Sequence, residues 1–309
     1  MTIIHLQPEE PTHEEWLRSR GYSLLPCPCG DDDQLHEDVA TRRLILKSRE
    51  LGLWATPSLP VLEGDEEPSP LCDRTLEHTC NDSVLFATHG NGPNQELVCI
   101  KYMPASSMGL RYGMILDAPH LRVDPRNHAV PVFEMFPNYD GTMAYTVLPF
   151  LQSVELTQLR STEQILDFVS QLLQGLEFMH EQGVAHGNIS LHHIMLLPIE
   201  PSSSKYVFID YSQSSFVRSE NRPTTLANAT TAGRDCINNI DSFFSLKRDI
   251  LMLGRVFQEA RKLSRSLRFL DGIISSMVHQ EPRCRPSAAA AFEQLQHEWD
   301  CVLKHRDTW

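Results

Sequence analysis

Three polar sites in the middle of the chain stand beside short apolar runs, and their residue types suit the binding of a charged ligand. Lys101 ends the run Val-Cys-Ile, and Asp210 follows the run Val-Phe-Ile. Between them, residues 186–193 read His-Gly-Asn-Ile-Ser-Leu-His-His. A lysine can bind phosphate, and a carboxylate can hold a hard divalent cation. The amide of Asn188 donates and accepts hydrogen bonds but cannot take a proton near pH 7, so it offers no general base.

The elements expected around Lys101 are β strands. Between residues 83 and 102, two apolar runs flank a polar turn rich in glycine and asparagine, which predicts a β-hairpin that carries Lys101. Two further short strands are expected at 130–136 and 144–148, separated by the turn signal Pro-Asn-Tyr-Asp-Gly. Residues 81–148 therefore predict a small, mainly antiparallel lobe.

The elements expected after residue 160 are mostly helices. Residues 161–164, Ser-Thr-Glu-Gln, form a capping-box pattern, and apolar residues then recur at spacings of three and four up to Met179. Further helices are expected around 250–262, 267–278 and 287–302. A small β lobe followed by a mainly helical lobe predicts an α+β fold.

Five motifs, in order along the chain, resemble those of eukaryotic protein kinases. They are the segments 98–101 (Val-Cys-Ile-Lys), 180–196 (around His-Gly-Asn), 210–212 (Asp-Tyr-Ser), 249–254 (Asp-Ile-Leu-Met-Leu-Gly) and 281–287 (Glu-Pro-Arg-Cys-Arg-Pro-Ser). The resemblance covers roughly residues 81–303. It implies a bilobal protein-kinase-like fold, with a β-rich N-lobe at 81–150 and a mainly helical C-lobe at 151–309.

Three other segments resemble a smaller group within the kinase-domain proteins. Residues 16–24, 124–131 and 175–181 are similar to a group of kinase-domain proteins from mushroom-forming fungi.

The resemblance implies a role for each matching residue. Lys101 and Leu148 correspond to nucleotide-binding positions. Asp210 corresponds to the metal-binding aspartate, His193 to the metal-binding asparagine and Asn188 to the general base. Three further residues correspond to structural positions of the family: His186, Asp249 and Arg285.

Several groups that phosphoryl transfer needs are replaced in this chain. Asn188 cannot act as the base, and the imidazole of His193 is a poor ligand for Mg²⁺. Gly187 replaces the arginine before the base, and residues 72–88 contain no glycine for a phosphate-covering loop. No glutamate between Lys101 and Phe133 is present to brace the lysine. The glutamate that pairs with Arg285 in the family is missing as well.

The sequence therefore predicts a pseudokinase, a binding or scaffold module with a protein partner and weak ATP binding. Any Mg²⁺ would depend on Asp210. Two alternatives stay open at this point. One is an active Ser/Thr protein kinase that transfers the γ-phosphate of ATP to protein hydroxyls. The other is a small-molecule phosphotransferase, because the segment His-Gly-Asn at 186–188 also resembles the His-Gly-Asp loop of aminoglycoside and choline kinases.

The charge of the chain is unevenly distributed. Of 27 basic and 40 acidic residues, 7 basic and 16 acidic ones lie in residues 1–80. These residues are expected to form an acidic, partly irregular N-terminal extension. The net charge of −13 argues against a general binder of nucleic acid or of anionic membranes. Neither a signal peptide nor a membrane-spanning run is recognised, so a cytoplasmic or nuclear location is expected.

Overall fold

A computed structural model describes residues 11–25, 83–90, 95–159, 161–200, 203–217 and 239–306. These residues combine helices with antiparallel sheet, which confirms the α+β class expected from the sequence. Contacts divide the chain into two units. One unit comprises residues 1–110 and 131–152, and the other comprises residues 111–130 and 153–309. The acidic runs on which the expected N-terminal extension depends, at 31–33 and 63–67, lie outside the described residues.

The N-terminal unit is built on a five-stranded sheet. Its strands, in chain order, are β1 (Tyr22–Leu24), β2 (Ser83–His89), β3 (Glu96–Pro104), β4 (Glu134–Pro137) and β5 (Met143–Pro149). All neighbours are antiparallel, in the spatial order β1-β2-β3-β5-β4. The predicted hairpin is confirmed as the β2–β3 pair, and β3 is the central strand. Lys101 lies in β3 opposite Val84 on one side and Thr146 on the other.

Residues 12–24 form part of this sheet's core. Helix α1 (His13–Ser19) begins with a capping box in which Thr12 and Glu15 satisfy each other's backbone N–H groups. Leu17 and Tyr22 are buried in the same apolar cluster as strand residues of β3 and β5. These residues had been expected to belong to an extension, and they instead pack within the unit that contains Lys101.

The C-terminal unit contains most of the helices. The remaining helices are α2 (Met108–Leu116), α3 (Pro119–Arg122), α4 (Thr162–Glu181), α5 (Asn239–Arg261), α6 (Asp271–Met277) and α7 (Ala288–Arg306). Of these, α2 crosses the boundary at residue 110. The capping box predicted at Ser161 is present and starts α4, whose buried face includes Phe168, Leu172 and Leu176. None of the helices in the described ranges is both long and apolar enough to span a membrane.

Short strands in the C-terminal unit position the segments around residues 188 and 210. They are β7 (Val184–Ala185), β8 (Ile194–Glu200), β9 (Ser203–Phe208) and β10 (Ser215–Phe216). A further strand of two residues, β6 (Gln152–Ser153), lies where the chain passes from one unit to the other. Strands β8 and β9 form an antiparallel hairpin, and β7 pairs with β10.

The end of β9 is also tied to residues 128–130. The N–H of Phe208 donates to the carbonyl of His128 at 2.8 Å, and the N–H of Val130 donates to the carbonyl of Phe208 at 3.1 Å. Gly175 of α4 lies against His128, where an added β-carbon would be 2.5 Å from the histidine Cβ. Close packing of helix, loop and strand thus fixes the chain immediately before Asp210.

Candidate functional site

The loop that follows β7 is organised by one buried carboxylate. Asp249, in α5, has no exposed surface. Its Oδ2 accepts the N–H of His186 at 2.7 Å, and its Oδ1 accepts the N–H of Gly187 at 2.8 Å. The Nε2 of His180, at the end of α4, lies 3.0 Å from Oδ2 and donates to it. A buried carboxylate is stable only when it is paired in this way, so Asp249 joins two helices and the loop.

His186 lies inside the protein with both ring nitrogens in use. Its Nε2 donates to the carbonyl of Ile209 at 3.0 Å, and its Nδ1 accepts the N–H of Asn188 at 3.3 Å. Burial lowers the pKa of His186, so the ring is neutral. The side chain of Ser214 donates to the carbonyl of His186 at 3.0 Å. His186 therefore links the loop to the segment on both sides of Asp210, which suits the structural role that the resemblance implies.

Gly187 adopts a backbone conformation that few other residues tolerate. Its φ is +78°, and a β-carbon at this position would overlap the carbonyl oxygen of Gln213. The arginine that the kinase family places here does not fit this backbone. A side chain at this position, such as the arginine that the resemblance implies, would require the loop to follow another path.

Asn188 follows at the position that the resemblance assigns to the base. Its side chain is partly exposed, and its backbone carbonyl accepts a hydrogen bond from Nδ1 of His193 at 2.8 Å. A hydrogen bond within the loop thus joins residues 188 and 193. The side chain of Asn188 is an uncharged carboxamide, which cannot accept a proton near pH 7.

Asp210 is held in an unusual backbone conformation directly after β9. With φ +63° and ψ +78°, it is the only non-glycine residue with positive φ among those that the structure describes. Its Oδ1 accepts the N–H of Ser212 at 3.4 Å. Backbone outliers of this kind cluster at functional sites, because surrounding structure must maintain them.

Tyr211 supplies that surrounding structure. Its hydroxyl donates to the carbonyl of Phe208 at 2.8 Å and accepts the N–H of Val130 at 3.3 Å. Burial raises the pKa of this hydroxyl well above its usual value. The side chain of the neighbouring Asp210 is 22% exposed.

His193 lies beside Asp210. The N–H of Ile209 donates to the carbonyl of His193 at 3.0 Å, which brings the start of β8 against the end of β9. The Nε2 of His193 is then 3.5 Å from Oδ2 of Asp210. The structure therefore brings together Asn188, His193 and Asp210, three residues that the resemblance assigns to one catalytic centre.

The two positions predicted to bind nucleotide lie in the N-terminal unit. Lys101 is opposite Thr146, and Cys99 is opposite Leu148. Opposed residues and alternate residues of a strand share one face of a sheet, so Lys101 and Leu148 are neighbours on the same face. Thr146 lies between them with only 6% of its surface exposed, and its hydroxyl has no hydrogen-bond partner within the described part of the chain.

Arg285 is anchored differently from the family pattern. Its guanidinium donates to the backbone carbonyls of His279 at 2.7 Å, Lys247 at 3.0 Å and Gln280 at 3.1 Å. These carbonyls belong to α5 and to the turn after α6. Arg285 thus has three backbone acceptors in the described part of the chain.

Thr146 and the contact between His193 and Asp210 were not found from the sequence. Thr146 is an ordinary strand residue, and only its burial without a partner marks it. Pairing across a strand end, as between His193 and Asp210, leaves no local pattern. In the described ranges, no group of three or more His, Cys, Asp or Glu side chains is arranged to hold a metal ion.

Comparison with known proteins adds no assignment. No family model matches this chain, and no curated protein matches it.

Proposed function

We propose that this chain is a protein-kinase-like module that no longer transfers phosphate and that acts by binding a protein partner. The observation that carries the proposal is the loop held by Asp249. Asp249 fixes the backbone of His186 and Gly187, while the next residue, Asn188, presents an amide. The scaffold of a catalytic loop is therefore maintained around a group that cannot accept the proton of a substrate hydroxyl.

The bilobal kinase-like architecture is part of this proposal. Three features support it: the five motifs in kinase order, the position of Lys101 in the central strand of an antiparallel sheet, and the helical C-terminal unit. The buried Asp249 also lies in a helix that begins well after Asp210, as the motif order requires.

The expected loss of rate is large. Active protein kinases turn over at about 1 to 100 per second. Removing a general base lowers a rate by about 10² to 10⁴. The base is only one of the replaced groups, since glycine stands at position 187, where the family has an arginine, and no glutamate lies between Lys101 and Phe133. Transfer by this chain is therefore expected to lie at the limit of detection.

Weak ATP binding is retained in the proposal. Lys101 and Leu148 share a sheet face with Thr146, which lies opposite Lys101. Buried hydroxyls are normally hydrogen-bonded, and this one has no partner among the residues that the structure describes. The lysine supplies the charge that attracts phosphate.

The test is a transfer assay with radiolabelled ATP, in the presence of Mg²⁺ or Mn²⁺, on the chain itself and on generic protein substrates. We expect no transfer above the background of a Lys101→Ala, Asp210→Ala double variant. Turnover by the wild-type chain that Lys101→Ala or Asp210→Ala abolishes would contradict the proposal.

The same assay separates the two alternative activities. An active Ser/Thr kinase would phosphorylate protein hydroxyls. A small-molecule phosphotransferase would modify aminoglycosides or small alcohols and leave peptides unchanged. Either result would show that the chain is an enzyme and not only a binding module. Loss of the activity in Lys101→Ala and Asp210→Ala would show that it belongs to this chain.

A further inference from the structure

A groove opens among three helices of the C-terminal unit. It lies between the end of α4, the first half of α5 and the start of α7, and its volume is about 270 Å³. Pockets for whole cofactors or drug-sized molecules have volumes of about 300–1,000 Å³. A groove below that range suits a few side chains of a partner protein.

Much of the lining of this groove is apolar. Ile250 and Ala288 are buried, whereas Phe243 is 36% exposed. Apolar surface that remains exposed in a groove and is bordered by polar groups marks interaction sites. The apolar lining can therefore cover the hydrocarbon part of a bound side chain.

Two bases line the groove, and both donate to acceptors within the protein. The Nε2 of His180 donates to Asp249 at 3.0 Å. The Nζ of Lys247 donates to the carbonyls of Arg285 at 2.5 Å and Pro286 at 3.1 Å. An acidic ligand would have to compete with these acceptors.

Two carboxylates also line the groove, and they differ in their partners. Oε1 of Glu181 accepts a hydrogen bond from Arg126 at 3.0 Å. Glu177 is partly buried, and its carboxylate has neither a hydrogen bond nor an ion pair within the described ranges. Burial raises the pKa of Glu177 and Glu181 raises it further, although Arg126 opposes the rise. A cation bound beside Glu177 would stabilise its charged form.

We propose that this groove binds an arginine of the protein partner that lies between apolar residues. The inference rests on the proposed function, because it gives the chemistry of the partner that the binding module takes. The hydrocarbon stem of arginine can lie along Ile250 and Phe243 while its guanidinium donates two parallel hydrogen bonds to Glu177. Lysine lacks this planar fork and is more strongly hydrated, so it fits less well.

The test measures the binding of fluorescent peptides to the full chain by fluorescence polarisation. The probes are Gly-Ser-Leu-Arg-Leu-Ser-Gly and Gly-Ser-Phe-Arg-Phe-Ser-Gly, with counterparts in which citrulline, lysine or glutamate replaces the arginine. Citrulline keeps the shape of arginine but carries no charge. We expect an arginine peptide to bind about fivefold more tightly than its citrulline counterpart, and the glutamate peptide to bind least.

Two variants locate the peptide in the groove. In Glu177→Gln the arginine peptide should lose its advantage over the citrulline peptide, whereas Glu163→Gln, about 21 Å away along the same helix, should keep it. Ala289→Leu places a larger side chain in the groove and should weaken binding of the arginine peptide by about tenfold. Ala290→Leu is the matched control, because Ala290 is exposed and lies outside the groove lining.

The inference is overturned by equal binding of the arginine and citrulline peptides, by tighter binding of the glutamate peptides, or by no binding of either arginine peptide. An arginine preference that persists in Glu177→Gln would also overturn it. A dimer that Ala289→Leu dissociates would show that a second copy of the chain occupies the groove instead. None of these results bears on the transfer assay. Conversely, phosphate transfer would overturn the proposed function, while the peptides would still decide what the groove binds.

Discussion

Two aspartates in the C-terminal unit have opposite environments. Asp249 is fully buried and accepts hydrogen bonds from two backbone N–H groups and one histidine. Asp210 is partly exposed, has a left-handed backbone, and contacts Ser212 and His193 at 3.4 and 3.5 Å. The first arrangement stabilises a fold, and the second leaves a carboxylate accessible to a ligand. Asp249 therefore holds the loop, whereas any role of Asp210 toward a ligand belongs to the proposed function.

The largest expected effect is on stability at Asp249. Asp249→Ala leaves the N–H groups of His186 and Gly187 buried without an acceptor, so we expect a loss of about 3–5 kcal/mol in the free energy of unfolding. The matched variant Asp210→Ala removes partly exposed contacts, of which those to Ser212 and His193 are long, and leaves the left-handed backbone in place, so a change of only about 1 kcal/mol is expected. Urea denaturation of both variants measures the difference. Equal losses would mean that the two aspartates do not have separate roles.

A second effect concerns the rigidity of the loop. Gly187→Ala places a β-carbon on the carbonyl of Gln213, and we expect it to destabilise the fold by about 2–4 kcal/mol. Gly141→Ala is the control, because Gly141 has a similar φ of +75° but open space around it. The control should lose only about 1 kcal/mol, the cost of the left-handed conformation for alanine. Similar melting temperatures for the two variants would show that the loop adjusts to a side chain.

Low pH is expected to have a smaller effect on the free energy of unfolding. Burial lowers the pKa of His128 to about 4, below its ordinary value of 6.5, despite its contact with the carbonyl of Tyr206. Nearby Lys205 lowers it further. Between about pH 6.5 and 4 the unfolded chain binds more protons than the folded one. The contribution of His128 to the free energy of unfolding is therefore fully present above pH 6.5. It is lost as the pH falls toward 4, and the loss amounts to at most about 3 kcal/mol.

The variant His128→Asn tests the source of this acid sensitivity. Asparagine keeps a donor for the carbonyl of Tyr206 but does not titrate. We expect it to be less stable at pH 7, with a shallower fall in unfolding free energy between pH 6.5 and 4. The remaining slope would come from other buried histidines, such as His186, whose pKa burial also lowers. An unchanged slope in urea denaturation across this pH range would contradict the assignment to His128.

Features encoded by neighbouring residues could be predicted from the sequence. The capping box at Ser161 and the spacing of apolar residues after it predicted α4. Both patterns involve residues that are only three or four positions apart in the sequence. The β2–β3 hairpin was predicted for the same reason, since a polar turn separates two apolar runs. The structural positions of His186 and Asp249 came from the resemblance alone, and the structure gives each of them buried hydrogen bonds.

Features that depend on distant residues could not be predicted. Strand β1 has three residues and pairs with a strand about sixty positions later, so its sequence carries too little pattern to distinguish it from a loop. The partners of Arg285 are backbone carbonyls, which any sequence provides. The contact between His193 and Asp210 depends on how β8 and β9 pair, and the sequence leaves the register of that pair open.

The most direct test of the central claim compares phosphate transfer by the wild-type chain with transfer by Asn188→Asp. Asp249 holds the loop, and under the proposed function a carboxylate at residue 188 would stand where an active kinase has its base. We predict no detectable transfer by the wild-type chain and a measurable gain in the variant, of up to about 10²-fold over the wild-type limit. Transfer by the wild-type chain at a rate equal to or above that of Asn188→Asp would contradict the account.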